Sequence, residues 1–529
     1  MVVTAHPEAS KITYQILKKG GNAIDAAVAV QMALTVVYPI AGNIGGGGFM
    51  VYRTNEGQVE CLDFRERAPL LASRDMYLDD QQAAIDGLSI DGALAVGVPG
   101  TVDGCVVMHE KYGRLKWEQL IQPAIDLARN GFRVTKKQSE KLNEYMAQLR
   151  VQNANVVCPH LKGAWQSGDI LKQEDLAKSL ERIKIDKRAG FYEGETAKLL
   201  IASMEANGGV INQSDLDNYK SVWREPVVFD YNDYRIYSMS PPSSGGLLMA
   251  QMLKMLSAYP IEKWKFQDFN SVHHIVEAER RAYADRSVYL GDPDFVSIPM
   301  AELLSDKYIA QRVKSIDSKK ASDSQNIKAG SFEIDESEET THFSIVDQWG
   351  NAVSITTTLN GAYGSKLMVD GAGFFLNNEM DDFSIKPGVP NQYGLVGAEA
   401  NAIEPGKRML SSMTPTIVEK GNKLYMVLGT PGGSTIITSV MQCFLNVVNY
   451  GMTMQESVNA KRFHHQYLPD QIYYEEDTFS KEMLAALKTA GHSIKQRKPI
   501  GKVDAILVLP DGRLEGAGDI RGDDTALGF

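Results

Sequence analysis

The chain of 529 residues has no long uninterrupted hydrophobic run. Its longest apolar stretch, AIDAAVAVQMALTVVY (Ala23 to Tyr38), is broken by Asp25 and Gln31 and falls short of the roughly 20 residues a membrane-spanning helix needs. It predicts a buried helix capped by Asn22 instead. Basic charge is also scarce: 55 Lys and Arg stand against 66 Asp and Glu, a net charge of −11, which argues against a nucleic-acid or anionic-membrane surface. The four cysteines (Cys61, Cys105, Cys158, Cys443) show no Cys-x-x-Cys spacing, so a zinc ribbon is excluded and the redox compartment is left open. No basic segment followed by an apolar one opens the sequence, so no signal peptide is read in MVVTAHPEAS. There is no Pro/Ser-rich linker, low-complexity tract or internal repeat, and one continuous core is expected. What remains is an ordinary globular composition, 43% hydrophobic and 23% charged, suited to a soluble enzyme or binding protein.

Glycine is clustered in AGNIGGGGFMVYR (Ala41 to Arg53), ahead of a strand-like run. A phosphate loop would end in Gly-Lys-Ser/Thr and enter a helix; this one does neither, and tight backbone packing beside a site is the better use of the glycines. SVHHIVEAERRAYADRSVYLGD (Ser271 to Asp292) has the apolar period of a helix. Its His273-His274 pair with Glu277 has no His-Glu-x-x-His ligand set around it, so surface or packing histidines are expected and no metal or cofactor. An Arg-Gly-Asp tripeptide at 521–523 is read as a chance occurrence and not an adhesion motif. After residue 340 the pattern becomes short alternating strands, then LYMVLGTPGGSTIITSVMQCFLNVVNYG (Leu424 to Gly451), a strand, a glycine turn and a buried helix. The residues thus give a mixed α/β protein with a sheet-rich C-terminal part.

Thr340 opens one of those strands, in EETTHFSIVDQWGNAVSITTTLN (338 to 360). A hairpin turning at Gln-Trp-Gly pairs residues whose numbers sum to roughly 699 and sets Thr340 opposite about residue 359, with Thr358 and Asn360 beside it. Ser354, Thr356, Thr358 and Asn360 share one face. A β-branched strand surface accounts for Thr340-Thr341 by propensity alone. A nucleophile accounts better for the hydroxyl clustering. A threonine hydroxyl needs a base, and an N-terminal threonine carries one in its α-amine, with a pKa near 8. That amine requires the 339–340 bond to be cut, and the acidic, polar SFEIDESEE (Ser331 to Glu339) is expected to be an exposed, cleavable loop. In GTPGGST (Gly429 to Thr435), Gly432 and Gly433 at a strand-to-helix junction can aim two amides at a developing oxyanion.

These residues carry a resemblance. GGNAIDAAVAV, AGNIGGGGFM, DFRERAP, PPSSGG, YADRSVYLGDPDF, TTHFSIVD, NNEMDDFS, GLVGAEANAI, RMLSSMTPTIV, GTPGGS and RFHHQ together resemble the γ-glutamyltranspeptidases, N-terminal-nucleophile hydrolases that cut themselves into two subunits. The resemblance implies an α+β fold, a four-layer αββα sandwich built jointly by a large subunit (1–339) and a small one (340–529). Thr340 would be both the self-cleaving residue and the nucleophile, with Thr358 bonded to it and Gly432 and Gly433 as oxyanion hole. Arg65, Ser411 and Ser412 would hold the glutamyl α-carboxylate; Asn360, Glu379 and Asp382 would hold the α-ammonium. Glu379 replaces the glutamine of the best-known bacterial members. IKPGVPNQYGLVG (Ile385 to Gly397) would be a lid with Tyr393 at its tip. Glutathione and other γ-glutamyl compounds would be donors, amino acids or dipeptides acceptors, and the location periplasmic or secreted. The alternatives are a glutaryl-cephalosporin acylase, against which two carboxylates facing an uncharged acyl group argue, and an unprocessed ligand-binding homologue.

Overall fold

The computed structural model describes residues 1–327 and 340–529; the acidic Ser331–Glu339 segment lies outside the described residues. Two antiparallel sheets dominate. The first has seven strands in the order Thr525–Leu527, Val2–Thr4, Thr341–Val346, Ala352–Thr358, Gly47–Arg53, Val59–Asp63 and Val222–Arg224. The second has six, ordered Leu514–Ala517, Asp504–Val508, Lys423–Gly429, Thr416–Lys420, Tyr234–Ser238 and Val227–Tyr231. Helices Pro7–Lys18 and Ala23–Val37 cover the outer face of the first sheet, and Gly245–Leu256 with Ile436–Val448 cover the second. The result is the four-layer αββα sandwich that the resemblance implies.

Local chemistry explains the elements that matter for the site. Helix Ala23–Val37 is largely apolar around its circumference and every residue of it is buried. Its start is fixed as expected: the Asn22 side chain accepts from the Asp25 amide and the Asp25 carboxylate accepts from the Asn22 amide, 2.9 Å each. The two sheets meet through hydroxyls, Ser344 Oγ donating to the Asp504 carbonyl and Ser354 Oγ to the Leu428 carbonyl, 3.0 Å each. A polar strand face can be buried because its groups find such partners.

The hairpin forms with a register one residue away from the expected one. Thr357 stands opposite Thr341 and Ser354 opposite Ser344, so the numbers sum to 698. The turn sets this: Asp347 N donates to the Asn351 carbonyl at 3.0 Å, and the Asp347 carboxylate accepts from the Trp349 and Asn351 amides. Continued one step, this register sets Thr340 directly opposite Thr358.

Helix Phe269–Tyr289 buries the histidine pair, and neither histidine is at the surface. His273 Nδ1 is 2.8 Å from His492 Nε2, and His274 packs against Tyr259 and Trp264. The Arg-Gly-Asp tripeptide is knitted into the fold: Arg521 pairs with Glu475 and Asp519, and Asp523 accepts from Thr135 Oγ1. No helix among the described residues is long and apolar enough to cross a membrane.

Candidate active site

Thr340, only 4% exposed, precedes strand Thr341–Val346, and Thr358 ends the neighbouring strand. On the far side of Thr358 runs Gly47–Arg53, with Gly47 opposite Thr358. The glycine cluster permits this approach: a Cβ on Gly46 would lie 2.1 Å from the Thr358 carbonyl oxygen, and one on Gly47 would lie 2.6 Å from Glu66 Oε2. Tight packing beside a site is what these glycines do.

Nine of the eleven expected residues line one cavity: Thr340, Thr358, Asn360, Arg65, Asp382, Tyr393, Ser411, Ser412 and Gly433. Glu379 lies immediately behind, in contact with Arg65, and Gly432 adjoins Gly433 in the chain. The cavity holds only about 20 Å³, room for one water and not for an amino acid. The Thr358 hydroxyl accepts from the Asn360 amide at 2.7 Å and faces the Glu379 carboxyl. Among the described residues no hydrogen bond joins it to Thr340.

The groups expected at opposite ends of a substrate are joined to one another here. Arg65 reaches Glu379 and Asp382, each at 2.5 Å, with Glu66 at 3.7 Å. Burial alone would lower the Arg65 pKa, but the three carboxylates raise it above its ordinary value. Burial in turn pushes all three carboxyls up, Glu66 to about 8 and Glu379 well beyond the usual range, against the pull of Arg65. Three acids around one guanidinium therefore retain a proton near neutrality, and they form a pocket that favours an incoming cation.

The strand Lys423–Gly429 leads through a turn into the short helix Gly433–Thr435 and then helix Ile436–Val448. Gly432 (φ 139°) and Gly433 (φ 52°) adopt backbone conformations that disfavour a side chain, and among the described residues neither amide has a protein acceptor. They sit at a helix N-terminus, where an oxyanion is favoured.

The 385–397 loop lies closed over these groups. The Tyr393 ring packs on Gly433, its hydroxyl donates to the Asn360 carbonyl at 2.8 Å, and its own carbonyl accepts from Gln466 Nε2 at 3.0 Å. Asn391 Nδ2 donates to Asp382 at 3.2 Å.

Two charged residues of the site were not singled out from the sequence, Glu66 and Arg286. Both stand inside motifs already noted, DFRERAP and YADRSVYLGDPDF. The available signal was a charge within an otherwise core-facing pattern, which in a buried helix such as Phe269–Tyr289 calls for a partner or a ligand.

A family model described as gamma-glutamyltranspeptidase matches residues 9–529. The chain belongs to the γ-glutamyltranspeptidase family. It is 47% identical over 541 residues to the glutathione hydrolase proenzyme of Pseudomonas sp. (strain A14), covering 100% of this chain and 94% of that one. Against the glutathione hydrolase proenzyme of Escherichia coli (strain K12) the identity is 45% over 532 residues, covering 100% and 92%. Among solved structures, a cephalosporin acylase from Bacillus halodurans superposes with a TM-score of 0.86 at 26% identity, covering 99% of this chain and 94% of that one. A γ-glutamyltranspeptidase chain of Helicobacter pylori superposes with a TM-score of 0.60 at 45% identity, covering 61% of this chain and 93% of its own. Acylase and transpeptidase share this family fold, so the contents of the cavity have to separate them.

Proposed function

We propose that this γ-glutamyltranspeptidase-family chain is a self-processing γ-glutamyl hydrolase and transferase in which Thr340 is the nucleophile. The observation that carries the reading is one small cavity in which Thr340 meets the open Gly433 amide and an Arg65–Glu379–Asp382 cluster.

In the precursor the Thr340 hydroxyl attacks the Glu339 carbonyl carbon, the C–N bond breaks, and water hydrolyses the resulting ester. This yields residues 1–339 and 340–529 and frees the Thr340 amine, which then serves as the base its own hydroxyl needs. In turnover the hydroxyl attacks the γ-carbonyl of the donor, the oxyanion is held by the Gly432 and Gly433 amides, and the leaving amine takes the proton. Water, or the amine of an amino acid or dipeptide, then attacks the γ-glutamyl ester and restores the hydroxyl. Glutathione fits as donor, in keeping with the names of the relatives at 45–47% identity. A periplasmic or secreted location is drawn from the family resemblance.

The acylase alternative shares the nucleophile and the fold. The carboxyls separate the two readings: Glu66, Glu379 and Asp382 gather around Arg65, so a substrate ammonium can pair with a carboxylate that otherwise has to hold a proton, whereas a glutaryl group brings no cation to do so. The test is purification followed by intact-mass analysis and assay with γ-glutamyl and glutaryl anilides. Pieces of 339 and 190 residues (529 − 339 = 190) that co-elute on a sizing column, and faster cleavage of the γ-glutamyl compound, are expected. A single uncut inactive chain would support a ligand-binding homologue, and a preference for the glutaryl compound would support an acylase.

A further inference from the structure

A backbone amide offered to an oxyanion is half of a peptide unit whose other half is a carbonyl. In a planar trans unit the N–H and the C=O point in opposite directions, so whatever fixes the carbonyl also fixes the aim of the amide. The Gly432 amide shares its unit with the Pro431 carbonyl, and the Gly433 amide shares its unit with the Gly432 carbonyl; neither bond is cis. Two consecutive glycines leave these planes free to turn unless something holds them. Both carbonyls are held by buried threonines. Thr430 Oγ1 donates to the Pro431 carbonyl at 2.8 Å, and among the described residues no other group donates to that oxygen. Thr435 Oγ1 donates to the Gly432 carbonyl at 2.7 Å, and the Thr435 amide donates to the same oxygen at 2.9 Å.

Donor accounting fixes the direction of the first bond. Thr430 Oγ1 accepts from the Lys502 amide at 2.8 Å, so its one proton is turned toward the Pro431 carbonyl. The backbone ahead of Lys502 lies close enough to hold this arrangement in place: a Cβ on Gly501 would stand 2.8 Å from Thr430 Oγ1 and 3.3 Å from the Pro431 carbonyl oxygen. On the other flank a Cβ on Gly432 would stand 2.6 Å from Thr435 Oγ1, so a side chain there would displace the second hydroxyl. Gly433 lines the cavity that contains Thr340, and neither threonine does. The hydroxyls stand behind the amides. Without the Thr430 hydroxyl the buried Pro431 carbonyl loses its partner, and rotation of the unit toward another donor would carry the Gly432 N–H off its line.

We propose that Thr430 and Thr435 are positioning residues that aim the Gly432 and Gly433 amides at the oxyanion, each through the carbonyl of the same peptide unit. This rests on the reading of Thr340 as the nucleophile and deepens it, because it names what holds the two donors in place before charge develops on the substrate oxygen. Donors fixed in advance favour the transition state over the bound substrate, so their loss is felt in the chemical step and not in ground-state binding.

The test compares wild type with Thr430→Val and Thr435→Val, which keep the β-branched shape and lose the hydroxyl, and with Thr430→Ser and Thr435→Ser, which keep the hydroxyl. Each is assayed on the γ-glutamyl anilide and against two inhibitors: the γ-boronic acid analogue of glutamate, whose tetrahedral adduct on the Thr340 hydroxyl presents an oxygen to the amides, and norvaline, which has the same α-groups and no γ-oxygen. Thr430→Val should lower kcat and kcat/KM by about tenfold or more and weaken the boronate by a similar factor, with norvaline inhibition within about twofold of wild type. Thr435→Val should lose less, about threefold, because the Thr435 amide still holds the Gly432 carbonyl. Each serine variant should recover most of the loss. Unchanged boronate binding, equal weakening of boronate and norvaline, or serine variants as impaired as the valine ones overturns the proposal. Should Thr430→Val fail to fold or to cut itself, Thr435→Val decides alone on the same comparison, and a folded Thr435→Val chain that stays uncut overturns the proposal, since a small loss of aim slows chemistry without abolishing it. A wild type that cleaves only the glutaryl anilide overturns the γ-glutamyl reading but not this one; the valine and serine variants are then compared by kcat on the glutaryl compound, which passes through the same oxyanion. A wild type inactive on both anilides overturns both.

Discussion

The Tyr393 hydroxyl donates to the Asn360 carbonyl across 2.8 Å, fastening the tip of the 385–397 loop to the residue that follows the hairpin by two. The cavity is too small for a γ-glutamyl group as it stands, and Tyr393 is among the residues that line it, so opening this contact is expected to widen it. Tyr393→Phe removes one hydrogen bond of about 1 kcal/mol and should raise the open fraction about fivefold. Amide exchange of residues 385–397 should accelerate by that factor; unchanged exchange would show that other contacts hold the loop shut.

The observed register sets Thr358 directly across from Thr340. Thr358→Ala should slow both self-cleavage and turnover, by about 1–3 kcal/mol or roughly ten- to hundredfold. Timed denaturing gels and anilide kinetics measure the two rates separately. Normal processing would mean that Thr358 serves only to position Asn360 and Glu379.

Asp382 touches both Arg65 and Asn391 of the loop, so Asp382→Asn disturbs more than recognition. Those disturbances fall equally on any substrate, and a ratio removes them. The preference for γ-glutamyl over glutaryl anilide should drop about tenfold or more, because the charge facing the ammonium is lost. Self-cleavage involves no ammonium and should proceed nearly normally. A constant ratio would assign Asp382 to architecture alone.

His342 is buried between the sheets, with Nδ1 2.9 Å from Thr356 Oγ1, and burial lowers its pKa to about 3. Above pH 6.5 it is neutral folded or unfolded. Below that, the unfolded chain takes up a proton that the folded one refuses until about pH 3, so stability is lost as pH falls through this window, by up to about 1.4 kcal/mol per pH unit. His342→Gln should lower stability at pH 7 but flatten the slope between pH 6 and 4 by about that amount. Urea unfolding of the uncut Thr340→Ala chain measures it, and an unaltered slope would refute the assignment.

Local signals in the sequence led to local structure. The Asn22 cap, the glycine approach at Gly46 and the strand-turn-helix around Gly432 depend on neighbours a few residues away, and each formed as expected. The hairpin was legible but its register was not, because the Asp347 carboxylate, bonded to amides two and four residues on, decided the turn. Strand order was out of reach for a different reason. Val3 pairs with Ser344 on one side and Ala526 on the other, and nothing in the local pattern encodes partners hundreds of residues apart. Arg286 was hidden in the same way, its hydrogen-bond partners Ser244 and Ser412 arriving from two other segments.

The strand Val2–Thr4 lies between Thr525–Leu527 and Thr341–Val346, with Val2 opposite Leu527. A short linker from Phe529 to Met1 would therefore join neighbouring strands without crossing the sheet. A circular permutant could then begin at Thr340, directly behind an initiator methionine that ordinary aminopeptidase trimming removes. Such a chain would acquire its N-terminal threonine during synthesis, and the chemistry of turnover could be studied apart from the chemistry of maturation.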